Sequence, residues 1–244
     1  MLHVRTSAEL GSHRRPHDCL LPPLPALAPR LFGTAALGVA FIALTIAVTA
    51  GVFTDLDLQV AQAMHAAQQP SLHPLFQVIA ELGGFELTTV LIFGLGYYLW
   101  RTGFNLSDGL GLVAIFIAAQ AFELFYKLNL HHPRPPLALS ESDGPSITDA
   151  FSGSGVSYSF PSGHMLRAVI VYGLLAFVIR RLSPSPLARS LAVAGAVAII
   201  VVVAFDRLYL DVHWESDVIG GLLLGAIALL AATVWLDRPT KPQN

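Results

Sequence analysis

Charge is what this 244-residue sequence has least of. Only 12% of its residues are Asp, Glu, Lys or Arg, against about 25% in soluble globular chains. A surface so poor in charge cannot keep a fold of this size in water. With 54% hydrophobic residues and a mean hydropathy of +0.63, the chain belongs in a bilayer. The net charge of −2 provides no positive field to draw nucleic acid. Cysteine is nearly absent: Cys19 alone excludes an intrachain disulfide and reads as a small side chain near the terminus. The N-terminal stretch does not read as a short cleaved leader either. The first 30 residues hold Arg5, Arg14, Arg15, Arg30 and several prolines, the apolar run starts late, and no clear cleavage pattern follows it.

What is present is a series of six apolar segments. Residues 31–54 and 218–236 contain no charged side chain and are long enough to span a bilayer. The other four are less pure: 76–100 with Glu81 and Glu86, 108–128 with Glu123 and Lys127, 163–181 with Arg167, and 189–206. Embedded charge of this kind predicts helices that face one another or a polar cavity rather than lipid. Residues 55–75 read as a short interfacial helix and a turn. Glycine pairs at 83–84 and 220–221 mark either close helix packing or bends. The expectation is an all-α, polytopic membrane protein with six transmembrane helices over residues 31–236, an N-terminal tail over 1–30 and a C-terminal tail over 237–244.

Basic residues orient the bundle. With both termini on one side, Arg5, Arg14, Arg15, Arg30, Arg101, Arg180, Arg181, Arg189, Arg238 and Lys241 share that side, ten of the 14 Lys and Arg. That excess marks the cytoplasmic face and puts both tails there. The remaining four, Lys127, Arg134, Arg167 and Arg207, fall on the outer side near helix ends.

Three clusters surround them. In "KLNLHHPRP", 127–135, Lys127 closes an apolar segment and Arg134 stands between two prolines that stop a helix. The pair are either snorkelling anchors or an anion clamp. In "PSGH", 161–164, Pro161 starts a helix whose first-turn amides, at Ser162 and Gly163, are free to hold an anion, with His164 in reach. A plain Ser-capped helix has the same sequence. In "DRLYLDVHWESD", 206–217, His213 and Asp217 are four apart and share a helical face. A carboxylate there can keep one imidazole nitrogen protonated and leave the other to attack. The pair can equally be a helix-stabilising contact, or metal ligands with Asp206, Asp211 and Glu215 nearby. Tyr209 and Trp214 read as interfacial aromatics.

Taken in order, the clusters resemble the type 2 phosphatidic acid phosphatase (PAP2) superfamily, the lipid phosphate phosphatases, in its bacterial membrane-bound branch. The family pattern K-x6-R-P, P-S-G-H, S-R-x5-H-x3-D falls on Lys127 to Arg134-Pro135, on Pro161-Ser162-Gly163-His164, and on Arg207, His213 and Asp217. One position departs: Asp206 precedes Arg207 where the family has serine, which bears on how Arg207 is held. The resemblance implies that Lys127, Arg134 and Arg207 clamp the phosphoryl oxygens and that Ser162 and Gly163 add donors. His213, oriented by Asp217, becomes a phosphohistidine, and His164 serves as acid and then base. It implies no cofactor and no metal, the three cations doing that charge work. Arg167 extends this cationic site, pairs with Glu123, or snorkels. The substrate expected is a membrane lipid phosphate or diphosphate, such as undecaprenyl pyrophosphate, phosphatidylglycerophosphate or phosphatidate. It is met at the outer face of a bacterial inner membrane, with residues 136–160 as a lid or a plain loop. A lipid phosphotransferase using the same intermediate and a non-catalytic membrane protein are the alternatives.

Overall fold

The computed structural model describes residues 27–135 and 158–238. Residues 136–157, on which the expected lid or loop falls, residues 1–26 with Cys19, and residues 239–244 lie outside these. Among the described residues the regular structure is helical. In chain order the helices are α1 Leu27–Thr49, α2 Thr54–Ala67, α3 His73–Ala80, α4 Phe85–Arg101, α5 Leu106–Asn129, α6 Gly163–Leu182, α7 Pro186–Tyr209 and α8 Glu215–Leu236, with 3₁₀ turns at Pro70–Leu72 and Glu81–Gly83.

Five stretches among the described residues are long and apolar enough to cross a membrane: Ala28–Thr49, Pro70–Arg101, Leu106–Asn129, Pro186–Tyr209 and Glu215–Leu236. The expected fourth span, α6, is not among them, and it carries Arg167, Arg180 and Arg181. Its place in the bundle explains how it tolerates them. Twelve of its twenty residues are buried, and it packs along α7 and α8 and against α4 and α5. Leu166, Ile170, Val171 and Leu174 have no exposed surface at all. A helix sheathed by others does not need to match lipid.

The apolar run 76–100 is two helices, not one. The break at Glu81–Gly83 frees backbone carbonyls that a lipid environment cannot satisfy. Polar side chains of α6 take them up: Arg167 Nε donates to the Gly83 carbonyl at 2.9 Å, and the Tyr172 hydroxyl donates to the Leu82 carbonyl at 2.8 Å. Both glycine pairs are sites of close approach. A Cβ on Gly83 would stand 2.9 Å from His164 Cβ. One on Gly221 would overlap the Ser162 carbonyl oxygen and lie 2.9 Å from Met165 Cβ. The interfacial helix read over 55–75 is α2.

At one end of the bundle, α1 and α6 are drawn to the end of α8: Asp237 accepts hydrogen bonds from both Arg30 and Arg181. The described basic residues assigned to a common side, Arg30, Arg101, Arg180, Arg181, Arg189 and Arg238, all lie at or near helix ends of this side. At the other end the C-terminus of α5, the N-terminus of α6 and the α7–α8 connection converge.

The glycine packing has a measurable consequence. Gly221→Ala must push the 161–164 segment off α8, and overpacking of this kind costs about 1–3 kcal/mol. Gly195, on α7, has nothing within 4 Å of an added Cβ. We expect Gly221→Ala to lower the thermal midpoint in detergent by several degrees and Gly195→Ala to leave it level or raise it. Equal midpoints for the two variants would contradict the close approach.

Candidate active site

The α7–α8 connection is built by local rules. Asp211 takes a left-handed φ of 54°, which turns the chain after α7 and brings His213 back over the start of α8. Four residues on, Asp217 lies in the first turn of α8. Its Oδ2 accepts the Trp214 backbone N–H at 2.9 Å and faces His213 Nδ1 at 3.2 Å. An ionised carboxylate can only accept, so His213 carries its proton on Nδ1 and presents an unprotonated Nε2. The expected contact is present in a buried setting, but not across one helical face, because His213 precedes α8.

The second cluster is fixed to the same residue. The Ser162 N–H donates to the Asp217 carbonyl at 3.0 Å. Ser162 and Gly163 are buried, and among the described residues the Ser162 hydroxyl has no hydrogen-bond partner. A buried hydroxyl left in this state at a helix N-terminus is suited to an anion that arrives later. His164, one step into α6, is only partly buried. Its Nδ1 lies 3.4 Å from Arg167 Nη2.

The third cluster reaches the site from α5. Lys127 Nζ pairs with Glu123 Oε1 at 2.8 Å, one turn back on the same helix, and Arg167 Nη1 approaches Glu123 Oε2 at 3.6 Å. Arg167 thus pairs with Glu123 rather than snorkelling. The Glu123 carboxylate lies so close to Gly163 that a side chain there would have to displace it. Arg134, partly buried, and Lys127 are both near enough to act on His213 electrostatically. Arg207 is fully buried, and its Nε donates to Asp206 Oδ2 at 2.9 Å. The aspartate at the departing position holds the guanidinium of its own chain neighbour. Severing a buried pair of this kind costs about 3–5 kcal/mol.

The alternative metal set is dispersed. Asp206 holds Arg207, and Asp211 Oδ2 is met by His65 Nδ1 at 2.8 Å and Gln68 Nε2 at 2.8 Å. Among the described residues no group of three or more His, Cys, Asp or Glu is arranged to hold a metal ion.

Sequence reasoning missed the supports. His132 Nδ1 stands 3.1 Å from Asp217 Oδ1. Trp214, read as an interfacial aromatic, donates its indole N–H to the Pro133 carbonyl at 2.6 Å. Asp57, on α2, accepts the backbone N–H of Ser216 at 2.9 Å and its hydroxyl at 2.8 Å, so it caps α8 from another helix. Burial pushes the Asp57 and Asp211 carboxyls above their usual range, their hydrogen bonds opposing. Only the Glu123-x3-Lys127 spacing gave a signal for any of this.

Comparison with known proteins agrees with the three-cluster reading. The profile of the PAP2 superfamily matches residues 108–241. Phosphatidylglycerophosphatase B of Bacillus subtilis (strain 168) is 28% identical over 190 residues, which is 77% of this chain and 86% of that protein. A putative undecaprenyl-diphosphatase of Escherichia coli (strain K12) is 32% identical over 152 residues, 61% of this chain and 67% of that one. Among solved structures, the transmembrane PAP2 type phosphatidylglycerolphosphate phosphatase from Bacillus subtilis superposes with a TM-score of 0.70 at 26% identity, covering 82% of this chain and 93% of that chain.

Burial holds the His213 imidazole below its ordinary value of 6.5; Asp217 opposes this, and the charges of Arg134 and Lys127 reinforce it. His213 should stay neutral, with Nε2 available, down to pH values below 6.5. Removing the opposing carboxylate in Asp217→Asn should lower the midpoint further. NMR titration of isotopically labelled histidines in detergent, assigned by His213→Gln, measures both. A His213 midpoint above 6.5, or a rise in Asp217→Asn, would overturn this account.

Proposed function

The chain belongs to the PAP2 superfamily, and we propose from this that it removes phosphate from a membrane lipid through a phosphohistidine on His213. The observation that carries the proposal is the seating of His213 on Asp217, whose own carbonyl receives the Ser162 amide. One residue thereby ties the nucleophile to an anion-binding helix start.

In this reading Lys127, Arg134 and Arg207 hold the phosphoryl oxygens, joined by the Ser162 hydroxyl and the Gly163 amide. Preorganised donors of this type stabilise the charge that spreads over the transferring group. His213 Nε2 forms a bond to phosphorus as the bond to the leaving oxygen breaks. Protonated His164 gives its proton to that oxygen, releasing the lipid alcohol, or the lipid monophosphate when the substrate is a diphosphate. Neutral His164 then takes a proton from water, whose oxygen displaces His213 from phosphorus, and inorganic phosphate leaves. Asp217 keeps the proton on His213 Nδ1 throughout. Doubly protonated His164 cannot accept from Arg167, which then stays with Glu123 and the Gly83 carbonyl. No metal ion enters this scheme, because the cations are supplied by side chains.

The substrate in this reading is phosphatidylglycerophosphate or undecaprenyl pyrophosphate, for which relatives are named, or phosphatidate, which the family resemblance implies. Six membrane passes, counting α6, with both termini in the cytoplasm, put the site at the outer face of a bacterial inner membrane. The distribution of basic residues supports this orientation.

Phosphate release from a panel of these lipids in detergent tests the activity, and turnover should survive excess EDTA. Loss on chelation with recovery on adding one divalent ion would refute metal independence. His213→Ala should abolish turnover and the acid-labile phosphoenzyme together. His164→Ala should slow steady turnover by roughly 10²–10⁴, the usual worth of a positioned acid–base group, and let labelled phosphoenzyme accumulate from a substrate with a good leaving group. Phosphoenzyme retained in His213→Ala but lost in His164→Ala would reverse the two roles. Phosphate found on a second lipid instead of in solution would make the chain a phosphotransferase.

A further inference from the structure

Asp217 has two carboxylate oxygens, and the scheme above uses one. Oδ2 serves His213 and the Trp214 amide. Oδ1 faces His132 Nδ1 at 3.1 Å, and His132 has no part in the three-cluster pattern. We infer that His132 is a positioning residue for the nucleophile: it holds the second oxygen of Asp217, fixes the carboxylate on His213, and divides that carboxylate's charge between two imidazoles.

The proton can be placed from the surrounding acceptors. Ser159 Oγ donates to the His132 carbonyl at 3.0 Å, with the Pro133 carbonyl at 3.3 Å, so its oxygen is left to accept. That oxygen lies 3.0 Å from His132 Nδ1. Both neighbours of Nδ1 therefore accept, and Nδ1 must carry hydrogen. The ring is also held. The Ser159 N–H donates to the His132 carbonyl at 2.8 Å, and the ring meets Phe160 edge-on at 6.4 Å and Trp214 at 6.3 Å. His132 thus joins the segment that carries Arg134 to the residue that carries His213.

The two imidazoles differ in exposure. The His132 side chain is 19% exposed and that of His213 is 2%. Asp217 is thus shared between a nearly enclosed ring and one closer to solvent. When His213 attacks phosphorus it acquires positive charge, which Asp217 offsets. The hydrogen bond from His132 keeps that carboxylate in place, so attack should slow when the bond is removed.

This inference rests on the reading of His213 as nucleophile, and the experiment separates the two. Full-length protein in detergent is given a ³²P-labelled lipid phosphate, and phosphoenzyme formation is followed in a single turnover from pH 5 to 8. His132→Ala should slow formation roughly 10- to 100-fold, the loss expected for one hydrogen bond to a charged group, with KM little changed. His132→Asn, whose amide nitrogen can replace Nδ1 as a donor, should recover much of the rate. Retention of the wild-type rate by His132→Ala overturns the inference, as does failure of His132→Asn to differ from His132→Ala. If His132→Ala does not fold, His132→Phe, which keeps a ring but has no donor, takes its place, and a wild-type rate there overturns the inference. If wild-type protein forms no phosphoenzyme, the reading of His213 fails, and the NMR titration of His213 still judges His132. Its midpoint should rise in His132→Ala, where Asp217 is left to His213 alone, and an unmoved midpoint overturns the inference.

Discussion

The Asp217 carboxylate is the contact on which the active end of this bundle depends. Its side chain holds His213, His132 and the Trp214 amide, and its carbonyl holds the Ser162 amide. Those four partners come from the connection before α8, the segment after α5 and the start of α6. A fully buried carboxylate is costly to maintain unless its lone pairs are filled. Here each filled lone pair also fixes a separate stretch of chain, so the conditions that permit the charge to be buried are the ones that assemble the site.

The positive side chains obey the same constraint. Lys127 and Arg167 share Glu123, and Arg207 has Asp206 beside it. In the proposed function these cations await an anion inside a low-dielectric bundle, and the carboxylates make that possible. They also limit how strongly an incoming phosphate is held, because it must compete with anions already present. Asp206 is instructive in this respect. Where a serine could only contribute a hydroxyl, the aspartate brings a full charge to Arg207 and fixes the guanidinium from the adjacent residue.

The membrane class, the helical segments and the three chemical clusters were legible in the sequence because each rests on a local rule. Bilayer spans show as apolar runs, and His213 with Asp217 shows as a four-residue spacing. The exclusion of α6 from the apolar spans and the break before α4 were not legible. They depend on which helix the others surround and on carbonyls satisfied from 84 and 90 residues away. The supports were hidden for the same reason. Asp57 reaches Ser216 across 159 positions, and His132 reaches Asp217 across 85. In the sequence, "HH" before a proline is only polar chain, and nothing local separates His132 from its neighbour His131.

The joining of α1 to α8 has a bearing on biogenesis. Arg30 meets Asp237 across 207 positions, and α1 lies along α8 for much of its length. Of the described helices, the first to leave the ribosome therefore finds its main partner last. Contacts of such high sequence separation form late and slowly. Until α8 is inserted, α1 must remain in the bilayer on its own hydropathy, which its uncharged apolar run from residue 31 to residue 54 provides. α8 also brings Asp217, whose carbonyl is the partner of Ser162. Nascent chains without α8 therefore lack the candidate site, and its synthesis both gives α1 its partner and completes that site.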